Sequence, residues 1–68
     1  MQGVPEVGDH ISVPGAVFPD GRPREGHVEA MWGPDLGFIR MIDLAGIPWI
    51  VLTPHAKVVE KKGEDNGH

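Results

Sequence analysis

Ten glycines and seven prolines are spread through 68 residues, and their placement limits the fold more than any other feature. Proline removes a backbone donor and breaks helices, and glycine inside a helix is destabilising. Here they alternate with short apolar runs rich in β-branched residues, as short strands with tight turns do. No segment reads as a helix. The expected fold is all-β.

Five strands follow from the pattern. In 7–13 ("VGDHISV"), Val7, Asp9, Ile11 and Val13 share one face. Asp9 interrupts that inward set, placed to bond the backbone of an adjacent turn. Residues 14–26 hold three prolines and three glycines and read as a long loop with a tight turn at Asp20-Gly21. The second strand is 27–32. Val28 and Met31 stand three apart, so a β-bulge near Glu29–Ala30 is expected to return both to the core. Gly33–Leu36 is a turn, with Pro34 at its second position and Asp35 tolerant of the third. The third strand is 37–44, with Ile39 and Met41 on one face and Phe38, Arg40 and Ile42 on the other. Ala45-Gly46 turns the chain into 47–52, where Pro48 suits a strand start or an open edge. A 3₁₀ turn at 53–56 precedes a last strand, 57–60. This order of short strands, with a long first loop and a 3₁₀ turn before the last strand, predicts a small SH3-like barrel over residues 1–60. Residues 61–68 are polar and aperiodic and read as a disordered tail.

"VGDHISV", "GHVEAMWGPD", Arg40 and the closing "P…VVE" resemble a family of small actinobacterial proteins known only as a domain of unknown function. The likeness covers residues 7–60 and implies an SH3-like barrel, with no activity and no catalytic residues to carry over. The chain differs from that family at "DLAGIPWIVL", where a more polar hairpin is usual.

Function is narrowed mostly by exclusion. There is no cysteine, so disulfides and thiol chemistry are ruled out and a reducing, cytoplasmic setting is expected. The first residues lack the pattern of a signal peptide, and no apolar run approaches the length of a membrane helix. Ser12 and Thr53 are the only hydroxyl side chains in a chain that has no tyrosine, and neither sits in a nucleophile motif. No catalytic residue, cofactor or enzyme activity is expected. His10 and His27 face each other if the first two strands pair, with Glu29 near, but the spacing matches no metal motif and no metal site is assigned. The absence of tyrosine also argues against proline-rich peptide recognition.

Two readings keep a positive argument, and a third follows from the first. Strands 37–44 and 47–52 are apolar on both faces, more than so short a chain can bury. That excess predicts a non-enzymatic interaction module, docking another protein or its own copy through Trp32, Phe38, Ile42 and Ile50, with Phe18 as a lid and Trp49 in the core. The alternative is a KOW- or Tudor-like nucleic-acid-binding barrel using Arg22, Arg24 and Arg40. A net charge of −4 opposes it, since phosphate binding needs the other sign. The third reading is a structural or accessory subunit of a phage particle or multisubunit enzyme.

Overall fold

The computed structural model describes residues 4–61. They form one five-stranded antiparallel sheet and three single 3₁₀ turns: β1 (His10–Val13), β2 (Arg24–Trp32), β3 (Phe38–Asp43), β4 (Pro48–Leu52) and β5 (Lys57–Glu60). The strand order is β4-β3-β2-β1-β5. This all-β architecture is the expected class, and its order is compatible with an SH3-like barrel. Among the described residues no helix is long and apolar enough to cross a membrane.

The core takes one residue set from every layer of the pattern. Ile11 and Val13 of β1, Val28 of β2, Ile39 and Met41 of β3 and Val51 of β4 are buried together with Phe18. Val58 of β5 packs on the same cluster. Strands from both ends of the order thus share one core, so the sheet curls around it rather than lying flat. The curl has two visible causes. The bulge expected in β2 is present, the β2–β3 register shifting between Val28 and Ala30, and bulges bend a strand. At Gly26, β2 and β3 run so close that a Cβ would lie 2.0 Å from the carbonyl oxygen of Ile42. Only glycine fits there.

Two strand boundaries differ from the sequence reading by three residues, and the ends of β3, β4 and the last 3₁₀ turn by one. The first strand begins at His10, not at residue 7. Gly8 has φ +97° and the Asp9 N–H donates to the Glu6 carbonyl at 3.0 Å, so a turn leaves Val7 exposed instead of inward. Asp9 itself is buried and accepts the Glu6 N–H at 2.8 Å, as its position suggested. The second strand begins at Arg24, three residues early, and Gly15–Val17 forms a 3₁₀ turn. The long loop is correspondingly shorter. Proline and glycine density hid this, because Arg24 and Gly26 continue the inward alternation of Val28 opposite Val13 and Ile11. Lys61, assigned to the tail, is held: its Nζ donates to Asp9 Oδ2 at 3.0 Å and to the Val4 carbonyl at 3.3 Å. The remainder of the expected tail, 62–68, lies outside the described residues.

Candidate protein interface

Strand alternation turns one face of β2, β3 and β4 away from the core. The register sets its side chains in rows: Trp32 beside Phe38 beside Leu52, then Ala30 beside Arg40 beside Ile50, then His27 beside Ile42 beside Pro48. The first row is apolar throughout. Trp32 and Phe38 stack with centroids 5.8 Å apart and planes inclined by 23°, within the usual range for a favourable ring pair. Trp32, Phe38, Leu52 and Ile50 are all exposed, Ile50 at 55 %.

The turn between β2 and β3 adjoins this row: a Cβ at Gly33 would lie 2.5 Å from the Phe38 ring. Leu36 N–H donates to Gly33 and Gly37 N–H to Pro34, at 2.9 and 3.0 Å. These consecutive turns carry Asp35 and Leu36 into the left-handed region, at φ +54° and +52°. Asp35 tolerates that conformation, as expected at the third turn position. Leucine does not, at a cost on the order of 1–2 kcal/mol. The Leu36 carbonyl accepts the Thr53 hydroxyl at 2.6 Å, which ties the turn to the end of β4, and the Leu36 side chain is half exposed.

Of the anchors named from sequence, Trp32, Phe38 and Ile50 therefore lie on one face. Ile42 shares the face but is partly buried and is separated from Phe38 by Arg40. Phe18 does not reach it. It is buried at 7 % exposure in the core, edge-on to Trp49 with centroids 5.1 Å apart, so the expected lid is a core residue at the opposite side of the sheet. Sequence reasoning missed Leu36 and Leu52. Leu52 was readable from its alternation with Ile50; Leu36 was not, because only the turn's backbone conformation directs it outward.

Two of the three arginines are engaged in the fold. Arg24 grips Asp20 with two hydrogen bonds, 2.9 and 2.7 Å, and its guanidinium lies 4.6 Å from the Phe18 ring centroid and 4.1 Å from that of Trp49. This cation–aromatic stack closes one end of the core. The Arg24 hydrogen bond, aided by the Arg22 backbone N–H, pulls the Asp20 carboxyl far below its ordinary range, and Asp20 in turn raises the Arg24 guanidinium. Arg40 pairs with Glu29 across the bulge. Arg22 alone of the three makes no salt bridge among the described residues, although its charge also acts on Asp20.

Asp43 organises the β3–β4 turn. Its Oδ1 accepts the Ala45 and Ile47 N–H groups at 2.9 and 2.8 Å, and its Oδ2 the Trp49 indole N–H at 2.8 Å. These bonds, the Ile47 N–H first and the Trp49 indole next, hold its pKa below the ordinary value. A shallow groove of about 460 Å³ runs beside it, lined by Ser12, Glu25 and Leu44 among others.

His10 and His27 do stand opposite each other. The His10 Nε2 lies 2.9 Å from Glu25 Oε2, and Glu29 is taken by Arg40. Among the described residues no three metal-ligating side chains are placed to hold an ion. No known family matches the chain, and neither does any curated protein or solved structure.

Proposed function

We propose that this chain is a non-enzymatic interaction module whose outer face, Trp32–Leu36–Phe38–Ile50–Leu52, docks the apolar surface of a protein partner. The observation that carries the proposal is Leu36. Glycine or asparagine would hold its left-handed position without strain, yet the position carries a large apolar side chain that is half exposed, two residues before the exposed Phe38. Strained residues of this kind concentrate where a side chain must be presented. The face covers roughly 450 Å², taking on the order of 200 Å² for each large side chain. Such an area is ordinary for the largest apolar patch of a monomer, and such patches are often functional. The engagement of Arg24 and Arg40 by acids favours this reading over nucleic-acid binding, because it leaves little basic surface. A subunit role in a larger assembly would use the same face. The proposal places the chain in the cytoplasm, a setting compatible with its lack of cysteine.

Affinity capture from the native host with the wild-type chain and with Phe38→Asp tests this. The expected result is a protein retained by the wild type and lost with the variant, while circular dichroism shows both folded. Identical retained sets would sink the proposal.

A further inference from the structure

The outer face ends at a strand edge with unusual properties. β4 bonds to β3 through its odd-numbered residues. The Asp43 N–H donates to the Ile47 carbonyl at 3.0 Å, and the Thr53 N–H to the Gly37 carbonyl at 2.9 Å. The register between these points is unbroken, so antiparallel alternation places Trp49 and Val51 in the bonded pairs as well. The N–H and C=O groups of Ile50 and Leu52 therefore point away from β3, along the edge where the described strand order ends. Proteins usually guard such edges with charges or bulges. The strand Pro-Trp-Ile-Val-Leu has neither a charge nor a register shift. Its guards are two prolines, Pro48 and Pro54, which stand at equal distances on either side of Val51.

That symmetry identifies the occupant. The geometry points to a second copy of this chain, its β4 paired antiparallel with this β4 about a two-fold axis at Val51. Ile50 then exchanges N–H···O=C bonds with the partner's Leu52, and Leu52 with the partner's Ile50. The next pair along would set Pro48 against the partner's Pro54. Neither has an N–H, so the ladder stops there. In this register both backbone groups of Ile50 and of Leu52 are bonded. A shift of two residues sets a proline opposite one of them and leaves a carbonyl without its donor. An isologous pairing of this kind is closed and does not propagate into a fibre. It also merges the two outer faces into one surface.

Charge and area set the strength. Each copy carries −4, so the copies repel at long range, but no charged residue stands on the edge itself. Added salt therefore strengthens the pairing, opposite to the behaviour of a charge-driven complex. Only Ile50, Leu52 and neighbouring backbone are covered, which places the contact at the small, transient end of interface sizes. The dimer is concentration-dependent.

The chain's lack of cysteine gives a direct test of the register. Ile50→Cys and Leu52→Cys chains are mixed under mild oxidation. Bonded antiparallel pairs have Cα atoms about 5.5 Å apart, within disulfide reach. The mixed disulfide is expected to exceed both homodisulfides. Sedimentation equilibrium of the wild type, from micromolar to millimolar and at two salt concentrations, is expected to show a monomer–dimer equilibrium that tightens with salt. Ile50→Pro removes one outward donor per copy without touching β3, and should weaken the dimer about tenfold or more, whereas Ile50→Ala, which keeps the donor, weakens it less. A wild type that stays monomeric throughout, or homodisulfides that match the mixed product, overturns the inference. Phe38→Asp separates it from the docking proposal. That variant should still dimerise, and its loss of dimer would move the contact from the edge to the face.

Discussion

Asp43 and Asp20 each hold a local arrangement by accepting hydrogen bonds as carboxylates. Both are depressed below the ordinary aspartate value of about 3.9. The stability they contribute is therefore fully present above about pH 4 and is lost as the pH falls from there through their lower folded-state values. Thermal melts between pH 7 and pH 2 should show a midpoint that is level near neutrality and declines below about pH 4. In Asp43→Asn the amide can still serve the turn's N–H groups, but it meets the Trp49 indole donor with either a donor of its own or a shared acceptor. Its melting midpoint should be lower at pH 7, and the acid decline smaller. A variant that declines as steeply as the wild type would show that Asp43 has no part in it. Leu36 gives a second prediction at this scale. Leu36→Gly removes the left-handed strain but adds flexibility to the unfolded chain, for a net gain of about 0.5–1 kcal/mol. Urea unfolding should show the gain, and the same variant should lose partner capture, which separates presentation from folding.

At the scale of the element, β2 was more legible than its start suggested. The three-residue spacing of Val28 and Met31 announced the bulge, because a pleated strand returns residues to one face every second position unless one is inserted. Its first residues were hidden among prolines and glycines, where loop composition outweighed the alternation of Arg24, Gly26 and Val28. Gly26 is the sharpest test of the β2–β3 contact. A methyl group there meets backbone, not a side chain that can swing aside. Gly26→Ala should destabilise by about 1–3 kcal/mol in denaturant unfolding, and a neutral result would mean the two strands are not this close. The candidate face was half legible for a related reason. Alternation in β3 and β4 identified Phe38 and Ile50 and could have identified Leu52. The outward direction of Leu36 depended on two left-handed residues in succession, which no pattern of apolar spacing encodes.

At the scale of the whole molecule, margins are thin. A domain of this length has stability on the order of 5 kcal/mol, and Ile39 and Met41 are fully buried at its centre. Ile39→Ala should cost about 2–5 kcal/mol, enough to leave a large unfolded fraction at room temperature; a variant with an unchanged urea midpoint would place the core elsewhere. The ends of the described chain also meet, through Lys61 with Asp9 and the Val4 carbonyl. These contacts join residues far apart in sequence and had no local signal. The same is true of Arg24. Sequence offered it as a free basic residue, whereas the fold brings Asp20, Phe18 and Trp49 around it.

Local sequence pattern was enough for the all-β class, for the inward residues Ile11, Val13, Val28, Ile39 and Met41, for the bulge in β2 and for the Gly33–Leu36 turn. Those depend on sterics and on a period of two, which act between near neighbours. Tertiary structure alone decided that Phe18 is core rather than lid, that two of the three arginines are spoken for, and that β4 ends the strand order with an open, uncharged edge. Those outcomes depend on which strands pair and how tightly the sheet curls, and only the packed chain sets that.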